Sequence, residues 1–565
     1  MRAVRQRLRK RLERGIGVVG AMGTLATVAG LGLIGGATPA AAAPQSIGST
    51  SDAISCGTTI ADWVQSSTVG PTYTIPAGLW DITSWDTDGN PYANGAMQLE
   101  VWRPTGAANQ YELVGISPVG TITTVGNNMF SLAQPIRARG GDVLGMRTAA
   151  VDTRCISATP EGASTYHVSN SASAPTAGDT LDFGGVRYGA VLNIAAVIQP
   201  ASVLFNPITP GRIVDTRVGT GAAAMPLAAG QTLVVPVAGV AGVPSTAVAA
   251  TLNVTATNAT PGYLTVYPCG PERPNTSTVN AQANYPVANL TTVELSISGA
   301  VCVYSQAATD LVIDATGWWG DTGLRYSPAT NERLVDTRTG IGAPAAPIAA
   351  GQTATIQVTG RAGIAPGTTV AALNLTATNS TPGFVTAYAC DQPRPATSNV
   401  NTKPFFAVAN IADVSLSAAG TVCVYSEQGT DLLVDALGSW TASGGQPYNP
   451  VSPTRIVDTR TGLGAPAISL TAGQTLTIAV AGQAGIPTGA VSAALNVTTV
   501  ESAQGFVTLY PCDGPRPATS TVNPQPGTPI ANLAQITLSA TGTVCAYTDQ
   551  ATQLIIDALG WTGTP

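Results

Sequence analysis

Polar and apolar residues alternate along most of the chain. Ala250-Thr-Leu-Asn-Val-Thr-Ala-Thr257 places an apolar side chain at every second position, the pattern of a half-buried strand. Asn258-Ala-Thr-Pro-Gly262 supplies turn residues and Tyr263-Leu-Thr-Val-Tyr267 alternates again, which together predict a hairpin. Residues 231–237, 293–297, 301–304 and 310–314 add further short strands. No stretch beyond the N-terminal segment carries a helical period. The pattern predicts an all-β chain built from sandwiches.

The same pattern recurs. Ile-Val-Asp-Thr-Arg at 213–217 returns at 334–338 with Leu first and at 456–460, and Leu-Asn-Val-Thr at 252–255 returns at 373–376 and 495–498. Every landmark is spaced by 121 and then 122 residues. Solenoid units are far shorter, and a unit this long can bury its own core. Three tandem homologous β-sandwich repeats are expected, at 202–322, 323–443 and 444–565. Residues 44–201 do not fit the repeat. Strands at 73–75, 79–85, 97–103, 111–116 and 190–198 suggest another sandwich, jelly-roll-like. Linkers are expected near 199–205, 320–325 and 441–447.

Residues 1–14 carry seven basic side chains and one acid, and an uncharged run to Ala43 ends in small residues. This describes a secretory signal peptide over 1–43, with a retained membrane anchor as the rival reading. Removing +6 leaves a chain of net charge −12. Nucleic acid is then not an expected partner, because binding it needs clustered Lys and Arg. No membrane span is expected after cleavage.

Only 10% of the residues are charged, and there is one histidine, His167, and two lysines, Lys10 and Lys403. A zinc site built from imidazoles is excluded, and a Ser-His-Asp triad could draw only on His167. His167 itself is expected to face solvent from a strand. No cofactor is implied.

Each repeat has two cysteines 33 residues apart, and two more lie in the first domain. The expected disulfides are Cys56–Cys155, Cys269–Cys302, Cys390–Cys423 and Cys512–Cys545, suited to an oxidising compartment.

The scarce charges recur in step. Arg212, Asp215 and Arg217 correspond to Arg333, Asp336 and Arg338 and to Arg455, Asp458 and Arg460. A later arginine stands at Arg273, Arg394 and Arg516, and an acid closes each copy at Asp314, Asp435 and Asp557. Buried charges must be paired, so these residues are read as internal Asp–Arg ion pairs. The competing use is a pair of carboxylates serving as acid and base in a glycoside hydrolase. Asn253, Asn374 and Asn496, in Asn-x-Thr triplets, are read as strand-edge hydrogen-bonding residues rather than glycan acceptors.

In the first domain, Trp80, Trp85 and Trp102, with Tyr73 and Tyr92, could form a platform for sugar rings, although tryptophan in a sandwich more often packs the core. Asp86, Asp88 and Asn90 have calcium-like spacing but lack the downstream bidentate Glu of an EF-hand, and a hairpin turn accounts for them.

The motifs together resemble a module of secreted actinobacterial proteins. The residues that carry the resemblance are Val-Asp-Thr-Arg-x-Gly-x-Gly-Ala, Leu-Asn-Val-Thr, Arg-Pro-x-Thr-Ser-x-Val-Asn and Asp-Leu-Val-Ile-Asp-Ala-x-Gly-Trp, over about 205–562. The resemblance implies an extracellular β-rich accessory module, often appended to hydrolases, with no activity of its own. The expectation is a non-enzymatic secreted or cell-surface structural or adhesion protein, its domains strung into a rigid rod. The alternative is an extracellular carbohydrate-binding protein that uses 44–201 for binding and the repeats as a stalk. Expected partners are a cell-wall or extracellular glycan, or a surface protein.

Overall fold

A computed structural model describes residues 44–564, apart from 51–52, 56–59, 77, 90–94, 151–152, 161–163, 170–172 and 271. The expected signal segment, Cys56, Asn90 and Tyr92 therefore lie outside the described residues. The chain is all-β with antiparallel pairing, and among the described residues no helix is long and apolar enough to cross a membrane.

The first domain is a sandwich. One sheet runs in the order Gln45–Ser49, Ile194–Pro200, Leu79–Gly89, Gly126–Arg139. The larger one runs Thr180–Asp182, Gln110–Ile116, Ala96–Pro104, Val143–Thr148, Asp62–Ser67, Thr165–Ser169, Gly185–Tyr188. Ile82, Trp85 and Ile198 from the first meet Val64, Leu99 and Met146 from the second in one core. The strand expected at 73–75 makes only an isolated bridge, Thr74 to Val143.

Each repeat is a two-sheet sandwich with its own core. In repeat 1 one sheet is ordered Leu204–Asp215, Asp310–Gly320, Ala249–Thr257, Val287–Glu294, and the other Thr232–Pro236, Ala300–Ser305, Gly262–Pro268, Val279–Ala281. Disulfides Cys269–Cys302, Cys390–Cys423 and Cys512–Cys545 form as expected. Cys155 is also disulfide-bonded.

The tandem repeats do not form a rod. They close on one another around a pseudo-threefold axis. The strands Val287–Glu294, Val408–Ser415 and Ile530–Thr537 each end their sheet and contact each other pairwise. Leu290, Ile411 and Leu533, at equivalent places in these strands, are buried together in a fifth core shared by all three repeats. Burying a leucine or isoleucine contributes about 1.5–3 kcal/mol, so a linear array that exposed these residues would forfeit several such terms.

The expected linkers are part of this closure. Phe205 pairs with Leu324, Tyr326 with Gln446, and Tyr448 with Val203. These are the same two positions of each copy, paired cyclically from repeat 1 to 2, 2 to 3 and 3 to 1. Phe205, Tyr326 and Tyr448 each cross a glycine of the closing motif. A Cβ at Gly317, Gly438 or Gly560 would fall 2.1–2.3 Å from the crossing ring or its hydroxyl. Only glycine leaves that space.

Candidate functional site

The recurrent asparagines and Ser loops meet where one repeat touches the next. Asn253, Asn374 and Asn496 lie on the central strand of their sheets, not at an edge. The Asn253 amide donates to the Ser398 carbonyl of repeat 2 at 2.7 Å, and Asn374 to Ser520 of repeat 3 at 2.8 Å. Asn496 closes the circle by donating to Ser277 of repeat 1. A second asparagine series answers the first. Asn410 donates to Asn253 Oδ1 at 2.9 Å, Asn532 to Asn374 at 3.1 Å and Asn289 to Asn496 at 2.8 Å. The oxygens of Asn410 and Asn289 accept the backbone N–H of Leu290 and Leu533. Those N–H groups belong to sheet-edge strands and would otherwise be buried without partners, a costly state.

Ser277, Ser398 and Ser520 belong to the Arg-Pro-x-Thr-Ser loops. Arg273, Arg394 and Arg516 were expected in ion pairs, and here the structure differs. Each guanidinium lies over a tyrosine ring of its own repeat, Tyr304, Tyr425 or Tyr547, 3.6–3.9 Å from the centroid. A flat guanidinium on an aromatic face needs no carboxylate, and the stacking holds the loop against its repeat.

The remaining expected pairs form. Asp215, Asp336 and Asp458 bind Arg217, Arg338 and Arg460 at 2.6–2.7 Å. Those arginines hold the three carboxyls below their usual range. Asp314, Asp435 and Asp557 bind Arg212, Arg333 and Arg455 at 2.8 Å. Burial pushes these three carboxyls up, and the arginine hydrogen bonds oppose it. Asp557 also accepts the N–H of Ser277 across the closing interface.

The three tryptophans present no platform to solvent. Trp80, Trp85 and Trp102 are 9%, 1% and 0% exposed. Trp85 stacks on Phe130 and Trp102 packs edge-on against Phe183. Tyr73 is buried too, its hydroxyl donating to the Leu192 carbonyl. His167 is also buried rather than solvent-facing, with Nδ1 3.2 Å from the Phe183 carbonyl. Asp88 forms an ion pair with Arg154 at 3.5 Å, and among the described residues no group of three His, Cys, Asp or Glu could hold a metal.

Sequence reasoning passed over a buried acid pair in the first domain. Arg147 binds Asp62 at 2.5 Å, and Trp102 Nε1 donates to Glu100 at 3.0 Å. Desolvation, with Asp62 beside it, raises the Glu100 carboxyl well above its ordinary range. Asp62 and Glu100 are fully buried, so substrate does not reach them.

Two grooves of about 380 Å³ open on the surface. One lies between the first domain and repeat 1 and includes Leu79, Arg139 and Glu294, and the other lies between repeats 1 and 2 and includes Pro207, Tyr388 and Asp413. Glu294, Lys403 and Asp413 break the repeat, since Ser415 and Thr537, Gln282 and Gln525, and Thr292 and Gln535 stand at the equivalent places. In a chain so poor in charge, a charge in one copy alone was the available signal.

No protein-family model matches the chain, and no curated protein matches it either. Among solved structures, the chain is similar to one described under "Life in the extremes: atomic structure of Sulfolobus Turreted Icosahedral Virus", with 10% identity, 68% of this chain and 88% of that chain covered, and a TM-score of 0.13. A likeness at that score carries no argument about fold or function.

Proposed function

We propose that this is a non-enzymatic extracellular protein whose first domain and three repeats form one compact, acidic, disulfide-bonded body for attachment or surface coating. The observation that carries the reading is the use made of the repeated motifs. The asparagines and the Ser loops are committed to closing the repeats on each other, and the Asp–Arg pairs to joining strands within each repeat, which leaves no recurrent carboxylate pair among the described residues free to act as acid and base. Disulfides and a basic, then apolar, N-terminal segment support export. Burial of the three tryptophans counts against a sugar platform in the first domain. A cell-wall glycan or a surface protein is the partner class for such a body.

Cell fractionation, with N-terminal sequencing of the recovered protein, tests the reading. The expected product is extracellular or wall-bound and begins near residue 44. Recovery of a reduced, uncleaved chain from the cytoplasm would overturn it, as would hydrolysis of a wall glycan by the purified protein.

A further inference from the structure

Cations in the repeats are mostly taken up by the fold. Arg212 and Arg217 and their counterparts are ion-paired. Lys403, the single lysine among the described residues, donates to the side-chain oxygens of Gln282 and Gln525 at 2.7 Å. Arg273, Arg394 and Arg516 differ. Each is exposed. Among the described residues, none of these guanidiniums donates to a protein acceptor or lies within ion-pair distance of a carboxylate. Glu272 adjoins Arg273 in the chain without pairing with it. Asp391 and Asp513, close before Arg394 and Arg516, accept the N–H groups of Ala418 and Ala540 instead.

A guanidinium carries five N–H donors in one plane. Here the face of that plane lies on Tyr304, Tyr425 or Tyr547. Stacking uses the face of the ion and none of its donors. The free fork matches a carboxylate or phosphate bidentately, and fixing it in advance lowers the entropy cost of binding. A second ring stands beside each stack. Tyr263, Phe384 and Phe506 are half-buried, with centroids 6.0–6.1 Å from those of the same tyrosines. Leu264 and Val266, like Val385 and Ala387 or Val507 and Leu509, fill the core, so alternation puts the second ring on the outer face of its sheet. Each copy therefore presents an apolar ring face to water beside an unused guanidinium fork.

We propose that each repeat carries a site for an acidic sugar residue, its ring on Tyr263, Phe384 or Phe506 and its carboxylate or phosphate on the adjoining guanidinium. The inference rests on the attachment reading above and names the chemistry of the glycan. The acidic body repels a polyanion that offers charge alone, so the ring contact is what selects a sugar. Three such sites on one closed body let a long polymer engage more than one, which raises avidity without any new contact.

The test measures binding of the full exported chain to immobilised polymers. Polygalacturonate offers rings with carboxylates, phosphomannan rings with phosphates, polyglutamate carboxylates without rings, and dextran rings without charge. Polygalacturonate or phosphomannan should bind at least about tenfold more tightly than polyglutamate and dextran, and the one that binds identifies the anion. Arg273→Gln, Arg394→Gln and Arg516→Gln combined should abolish binding, whereas Arg187→Gln, at an exposed arginine of the first domain, should not. Arg273→Lys, Arg394→Lys and Arg516→Lys combined keep the charge and lose the fork. That variant should melt like wild type and bind about tenfold more weakly, which separates recognition from holding the loop. Equal binding of polyglutamate or dextran, binding that survives either combined variant undiminished, or no binding to any of the four polymers would each overturn the proposal. Cell fractionation decides the attachment reading separately, so an exported chain that binds none of them strikes this site alone.

Discussion

Asn410 Nδ2 lies 2.9 Å from Asn253 Oδ1, joining the edge strand of repeat 2 to the central strand of repeat 1. The same contact recurs at the other two junctions. Replacing Asn374 with Ala removes both the acceptor of Asn532 and the donor to Ser520. The expected loss is about 1–3 kcal/mol, since buried partners are orphaned, and equilibrium urea unfolding should show it as a lower midpoint. Asn374→Asp, which removes only the donor, should also destabilise by leaving a buried acid at the junction.

The two arginines of each Val-Asp-Thr-Arg motif should differ. The Asp435 side chain is 1% exposed and relies on Arg333. Arg333→Ala strands that carboxylate, and such losses reach about 3–5 kcal/mol. The Arg338 side chain is 44% exposed, and its partner Asp336, though only 4% exposed, keeps Arg333 at 3.4 Å and the backbone N–H of residue 338 once that side chain is removed. Arg338→Ala should therefore shift the urea midpoint much less, and equal shifts would show that burial does not set the balance.

Glu294 should give the assembly a pH dependence. Its carboxyl is buried against the first domain and pushed up to about 7 from 4.5, first by desolvation, against the Leu79 N–H and the Arg139 guanidinium. The folded state binds this proton more tightly than the unfolded one. Its contribution is therefore full below about 4.5 and is lost as pH rises to about 7. Asp215, Asp336 and Asp458 are lowered and act oppositely, their contribution falling away as pH drops through their depressed folded values, below 3.8. Thermal melts of Glu294→Gln should match wild type near pH 4 and exceed it at pH 8. A melting curve no higher than wild type at pH 8 would refute the assignment.

Each repeat disulfide spans 33 residues. Loop-closure entropy for that span is roughly 3.5–4 kcal/mol. Replacing Cys390 and Cys423 together by serine should lower stability by about that amount, measured by denaturant unfolding under non-reducing conditions.

Closure of the repeats is visible in solution as size. A compact body of the 44–565 length has a radius of gyration of about 24 Å, whereas four such domains in line would give roughly 40 Å. Small-angle scattering separates the two.

Much of the fold was legible because alternation and turn residues are local. The hairpin after Ala250, the three repeats and the repeat disulfides follow from spacing alone. The candidate site was less so. Asn253 and Ser277 repeat faithfully, but spacing cannot say that an asparagine's partner sits in the next copy rather than its own. Arg273 looked like an ion-pair member because charge is scarce, while its stacking on Tyr304 depends on a contact across the sheet. Trp80, Trp85 and Trp102 carry no sequence mark that separates a buried ring from an exposed one. Glu294, Asp413 and Lys403 show how asymmetry reports on the junctions. Each is a charge that one copy has and the others lack, and each lies where copies or domains meet.

The cyclic pairing of Phe205 with Leu324, Tyr326 with Gln446 and Tyr448 with Val203 also bears on heredity. Genes with tandem copies of 121–122 codons are prone to gain or lose a copy by unequal recombination, and open arrays absorb such events because each unit needs only its neighbours. Here a two-copy product would leave Val203 without its partner, and a four-copy product would have one unit with no place around the axis. Selection on this gene should therefore hold the copy number at three while individual residues drift.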